Sequence, residues 1–424
     1  CDEAAPMWSS AGRGDLAMMR SMGANLVRLY GNDPRNSHRD FLEEAAGLGL
    51  EVAPGMSDWP FYQMPSGSCR ETGFDCFSQV KPLYMDNLAN GFLTANGEYH
   101  RSIRVMNIIN EPDLKMPPTA TTGGRDGVVQ MARTVISAFD AMLDAEGDSN
   151  VTGPLINFTA TFTYALCKAC DRFGHLPALG QMVQLDHAMR HPEAYGYTPR
   201  NDILEAYRTR WMHSFDTLNP ATDLEATFFR EYSALFPSIP VYIGEYHSVH
   251  AAAGLKRDLG RILALARRNQ LFVGIAFFEF TVSYYKTGSE TELGMFGYGS
   301  QPIASMDYFG EALDVRCLAP VPQGRSSLAD EVARAFGGSV DDRLLCADAR
   351  LQREEARAFL ARASTANADS ASSVATAGGS AIGLHIFLLI AGTCGLLLLL
   401  RGSYLVANHT CSQRLRPLGG AAGS

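Results

Sequence analysis

Several things are scarce or missing in these 424 residues. No basic run occurs in the first 360, and 36 Lys+Arg against 45 Asp+Glu leave a net charge of −9 and a pI near 5.6. That excludes the electrostatic footprint of a nucleic-acid-binding domain, so no nucleic acid is expected as a partner. No Gly-rich phosphate loop follows the early strand-like segments, which weighs against a nucleotide-binding open sheet. Cys167 and Cys170 form a lone CxxC with neither a second CxxC nor a His pair at finger spacing, which argues against structural zinc. The chain also opens without Met or a signal peptide.

What is present is ample apolar material: 46% hydrophobic content is enough for a barrel of roughly 250 to 300 residues plus appendages. Among nine cysteines, Cys69 with Cys76 and Cys317 with Cys346 read as loop-closing disulfides of an oxidising compartment. Cys1 is left over, its partner expected upstream.

Ala381 to Leu400 is a nearly unbroken apolar run, long enough as a helix to cross a hydrocarbon layer roughly 30 Å thick. A single transmembrane helix is therefore expected. It follows a flexible Ser/Ala/Gly linker at 364–380. Arg401, Arg414 and Arg416 come after it with no acidic residue, which puts 401–424 in the cytoplasm and the rest outside or in a lumen. Asn150 and Asn157 open N-glycosylation sequons on that side. A glycolipid-anchor signal would end in its apolar tail, whereas here 24 residues continue.

The N-terminal region, 1–318, alternates between helix-like and strand-like segments. The strand-like ones are Asn25 to Tyr30, Glu51 to Met56, Ile103 to Asn110, Pro154 to Ala160, Trp211 to Phe215, Pro240 to Glu245 and Leu271 to Phe280. Gln181 to Leu185 is the alternative for the fifth, but Trp211 to Phe215 keeps the spacing regular. Seven β/α repeats imply a parallel sheet and an α/β fold, a (β/α)₈ TIM barrel. If Asn25 to Tyr30 is the second strand, the first is expected upstream of Cys1. Residues 319–363 read as a charged helical stalk.

In such a barrel, chemistry sits at the C-terminal ends of the strands. Glu111 ends one strand-like segment and Glu245 another, three strands apart. Two carboxyl groups facing each other across a barrel mouth suit glycosidic bond cleavage with retention. One protonates the leaving oxygen while the other attacks the anomeric carbon. Either motif alone has a plain structural reading, Asn-Glu-Pro as a helix cap and Gly-Glu-Tyr as a solvated loop.

With NLVRLYGNDPRNSHRDFLEEAAGLGLEV (25–52), NIINEP (107–112), PVYIGEY (240–246), VGIAFFEF (273–280) and YGS (298–300), the chain resembles the clan of retaining barrel glycosidases. Within it, the likeness is to fungal-wall β-1,3-glucanosyltransferases and endo-β-1,3-glucanases, and covers about Asp15 to Tyr298. The resemblance implies Glu111 as acid/base, Glu245 as nucleophile and Asn110 as a hydrogen-bond partner of a sugar hydroxyl. Phe277-Phe278-Glu279 stands where many members carry Trp.

Arg28 and Tyr30 are candidates to hold the nucleophile or a sugar hydroxyl, and Glu279 to support the site by hydrogen bonding. Trp59, Tyr62, Tyr246 and Tyr284 are candidates to stack on sugar rings. His247 and His250 lack a third ligand, so no metal site and no cofactor is expected. The expected partners are a β-glucan or related polysaccharide and a membrane. Two other readings stay open: a catalytically silent polysaccharide-binding barrel, and an enzyme for another β-linked glycan such as mannan or cellulose.

Overall fold

Segments such as Val105–Asn110 and Leu26–Leu29 are buried along their whole length, which explains their near-continuous apolar character: strands covered on both faces have no solvent side to mark. A computed structural model describes the protein at residues 1–118, 120, 123–247, 252–308, 310–323, 326–368 and 387–390. Its central strands are β1 (Leu26–Leu29), β2 (Glu51–Ala53), β3 (Val105–Asn110), β4 (Asn157–Thr163), β5 (His213–Thr217), β6 (Val241–Tyr246) and β7 (Phe272–Phe277). All seven overlap the segments where the sequence predicts them, the fifth at the preferred position, with β4, β5 and β6 running past the predicted ends.

Parallel pairing runs from β3 through β7 in order, and β1 pairs with β2. Parallel bridges Val52↔Ile103 and Gly55↔Asn107 join β2 to β3. Between β1 and β7 lies the strand Phe387–Ile390, parallel to both, so eight strands close into a barrel. Leu26, Val105, Met212, Tyr242 and Ala276 form one buried cluster, and a larger one includes helix residues such as Phe41, Val135, Phe139 and Leu259.

The strand Phe387–Ile390 departs from the expected transmembrane helix. Four residues of the apolar run are described, and they are extended; 381–386, 391–400 and the tail lie outside the described residues. Among the described residues no helix is long and apolar enough to cross a membrane. An apolar segment is suited to lipid and to the slot between β1 and β7 alike, because both offer a dry environment. Only the slot satisfies backbone groups by inter-strand pairing.

After β7 the chain forms an antiparallel hairpin, β8 (Phe296–Tyr308) with β9 (Glu311–Pro320), which the sequence reading does not contain. In the region expected as a stalk, helix Leu328–Phe336 buries Leu328, Val332 and Phe336 in the larger core. A second helix, Ala347–Ala368, runs five residues into the expected linker, the rest of which lies outside the described residues. Cys69–Cys76 and Cys317–Cys346 are disulfides as expected, and Cys167–Cys170 is a third.

Candidate active site

Arg28 organises the barrel mouth. It is fully buried in β1, and its Nη2 donates to Asn110 Oδ1 at the end of β3 and, at 3.2 Å, to Thr161 Oγ1 in β4. Its Nη1 lies 3.4 Å from Asp216 Oδ1 on β5 and 3.8 Å from Glu245 Oε1 on β6. One guanidinium thus ties together five of the barrel's strand ends. Gly244 makes room for it: a Cβ there would come within 2.7 Å of Arg28 Nη1 and 2.6 Å of Ser214 Oγ. The glycine of Gly-Glu-Tyr is a packing requirement.

Glu245 sits inside an irregularity of the parallel register, between Ile243 and Tyr246 on β6, and Glu111 directly follows one, between Asn107 and Asn110 on β3. Such irregularities re-aim the side chains next to them. Glu111 adds a left-handed backbone, φ 51° and ψ 54°, an uncommon conformation for a residue with a Cβ. Asp113, fully buried, pins the turn behind it by accepting from Thr163 N at 3.1 Å, Thr163 Oγ1 and Gln181 Nε2.

Each of the two carboxyls has its own polar neighbour. Asn110 Nδ2 donates to Glu245 Oε1 at 3.2 Å. Glu111 has Lys115 Nζ at 3.9 Å, and Lys115 lies 3.4 Å from Asp58 Oδ2. Desolvation, with the negative charge of Glu245, pushes the Glu111 carboxyl up to about 7 against the partial opposition of Lys115. Burial also pushes Glu279 up to about 7. Glu279 is fully buried and accepts from Ser283 N at 3.2 Å and Ser283 Oγ at 2.7 Å, in keeping with a supporting place.

Of the other predicted residues, Tyr30 lies at the centre, its ring 5.0 Å from the Arg28 guanidinium carbon and edge-on to Phe278. Trp59 and Tyr62 fall in the turn Trp59–Gln63 after β2, where Tyr62 Oη donates to Asp58. Tyr284 is exposed at the rim and packs on Tyr298. Tyr246 requires correction: it is fully buried, and burial, reinforced by Asp258 on helix Ala252–Arg268, raises its phenol pKa, so it has no face to offer a sugar. His247 is buried beside Phe277, while His250 lies outside the described residues. Among the described residues no group of His, Cys, Asp and Glu is arranged to hold a metal ion.

Sequence reasoning missed Asp216, Asp58 and Lys115. Asp216 obeys the same rule as the two glutamates, an acid at a strand end. It escaped because the expected strand stops at Phe215, one residue short. Lys115 stands four residues after Glu111, a spacing that places it beside the carboxyl.

No protein-family profile matches the chain, and no curated protein matches it in sequence. Solved structures do. The chain is similar to yeast Gas2p. A point mutant of Saccharomyces cerevisiae Gas2p in complex with laminaritetraose and laminaripentaose aligns over 77% of this chain and 57% of that one, with 12% identity and a TM-score of 0.43. ScGas2 with a bound compound aligns over 77% and 59%, at 13% identity and 0.43. The AHE enzyme from Alicyclobacillus herbarius aligns over 73% and 84%, at 13% and 0.44. The chain thus spans less than two thirds of the length of the Gas2 structures.

Proposed function

We propose that the protein is a retaining glycoside hydrolase or transglycosidase acting on β-glucan, with Glu111 as acid/base and Glu245 as nucleophile. The observation that carries this reading is the pairing of two strand-end carboxyls in unlike surroundings. Glu111 is held up near 7, so it is largely protonated in mildly acidic solution, while Glu245 accepts from Asn110 and faces Arg28. Opposite environments for two neighbouring acids are what this chemistry needs.

Glu111 gives its proton to the glycosidic oxygen as Glu245 attacks the anomeric carbon; the C–O bond to the leaving sugar breaks and a glycosyl-enzyme ester forms. Glu111, now ionised, takes a proton from water or from a hydroxyl of a second glucan, which displaces Glu245. The β-1,3 linkage comes from the motif resemblance. Incubating the protein with laminari-oligosaccharides, cello-oligosaccharides and manno-oligosaccharides and separating the products tests linkage and transfer together. Products from the laminari series alone are expected, and binding without turnover would favour the silent barrel.

We place the enzyme in an oxidising compartment, outside the cell or in a lumen, a reading supported by its three disulfides. Tethering by 381–400 is supported by the length and composition of the run, with the strand Phe387–Ile390 as the competing placement of the same residues. Protease added to intact cells should remove the barrel and spare the tail, leaving 381–424 with the membrane. A chain freed whole by alkaline carbonate would overturn the tether.

A further inference from the structure

Asp216 has too few partners for an ionised carboxylate. It is 8% exposed on β5 and is the Cα partner of Glu245 in the parallel ladder with β6. Its Oδ1 has one long contact, 3.4 Å to Arg28 Nη1, and its buried Oδ2 accepts from no donor, while the Glu245 carboxyl lies within hydrogen-bond reach of the Asp216 side chain. The same Nη1 lies 3.8 Å from Glu245 Oε1, so a single positive charge faces two acids. Glu111 adds a third carboxyl to the same field. The nearby cation Lys115 is drawn to Asp58 and Glu111.

Two adjacent carboxyls sharing one guanidinium away from bulk water do not both stay ionised. The donor inventory decides which one keeps the proton. Glu245 receives the amide hydrogen of Asn110 at 3.2 Å, and its side chain is 18% exposed against 8% for Asp216. Glu245 is therefore the better anion site, and Oδ2, which no donor reaches, is the natural seat of the proton.

We propose that Asp216 is a positioning residue which stays neutral and donates a hydrogen bond from its carboxylic acid to Glu245, leaving the charge of Arg28 to the nucleophile. This rests on Glu245 being the nucleophile, the reading given above. In the resting enzyme the hydrogen bond fixes the Glu245 carboxylate against rotation. When the glycosyl-enzyme ester is cleaved, the same donor steadies the departing carboxylate. Burial and the Glu245 charge both push the Asp216 carboxyl upward, with Arg28 opposing. The ionisable groups facing it are Arg28 from β1, Tyr30 just after it, Tyr242 and Glu245 from β6, and Glu111 from the turn after β3.

The test needs no substrate. Infrared difference spectra of the intact protein carrying ¹³C-carboxyl aspartate should show, at neutral pH, a protonated-acid carbonyl band that is absent from Asp216→Asn. The band should also disappear in Glu245→Gln, where loss of the neighbouring charge lets Asp216 ionise against Arg28. The second variant decides the matter should the first fail to fold. A wild-type spectrum without that band overturns the proposal whatever the enzyme does to glucan, and an inactive protein that shows the band overturns the functional reading alone. In turnover, Asp216→Ala should lose on the order of a hundredfold, and Asp216→Asn, which keeps a donor, should stay within about tenfold of wild type. Equal losses in the two variants would also sink the proposal.

Discussion

The two ends of the barrel carry the same kinds of buried charge in different balance. At the N-terminal end, Glu146 meets Arg210 in a two-pronged pair, 2.7 Å on each prong. Tyr99 Oη donates to Glu146 Oε1, and Arg210 Nε donates to Ile156 O at 3.0 Å. One acid faces one base and their remaining groups are partnered. At the C-terminal mouth, Arg28 faces Asp216 and Glu245 with Glu111 nearby, and one carboxylate oxygen accepts from no donor. A matched pair has no reason to change charge and serves the fold. A set with more acids than bases must hold protons somewhere, and held protons are what acid/base chemistry uses. The contrast also matches the division of a barrel into a stabilising bottom and a reactive top.

If that division is right, substitutions at the two ends should fail in different assays. The largest effect belongs to Glu245→Ala, which should lower turnover by several orders of magnitude with little change in melting temperature. Added azide should attack the vacated face and give an α-glycosyl azide. Glu111→Ala, with an activated leaving group and azide, should give the β anomer because the glycosyl-enzyme still forms. The same anomer from both would show that the roles are misassigned.

At the other end, Arg210→Ala strands a carboxylate that is nearly buried and should cost about 3 kcal/mol of stability. Denaturant unfolding would read this, while kcat of the remaining folded enzyme should stay near wild type. A large loss of kcat without loss of stability would break the comparison, since it would make the bottom pair part of the chemistry.

Much of this was legible from the residues. The seven central strands announce themselves because strands covered on both faces need apolar residues throughout, and Glu111 and Glu245 stand out as acids that end such runs. What was hidden depends on side-chain direction and on loops. Tyr246 looks like a rim residue beside Glu245, yet it is buried next to Asp258. Asp58 and Lys115 meet only because the turn after β2 and the turn after β3 adjoin at the mouth. The hairpin β8–β9 contains Gly299 and Pro302 and breaks strict alternation, which obscures its period. The run from Ala381 to Leu400 was ambiguous for a different reason: hydropathy measures dryness and does not distinguish lipid from a barrel slot.

The smallest expected effect is the one that sharpens the account of the mouth. On the proposed reading Glu111 must carry its proton to act as the acid, so kcat/KM should fall as pH rises past about 7, the value to which burial and Glu245 push it. Lys115, 3.9 Å away, opposes that rise because a nearby cation favours the ionised carboxyl. Lys115→Met removes the cation while keeping much of the apolar stem. The folded pKa of Glu111 should therefore go higher, and the alkaline limb should move up by about one unit. The shift should be confined to the alkaline limb, because Lys115 makes its contacts with Asp58 and Glu111. A limb that moved down, or that kept its position while the overall rate fell, would mean that Lys115 holds substrate or the loop and does not tune the acid.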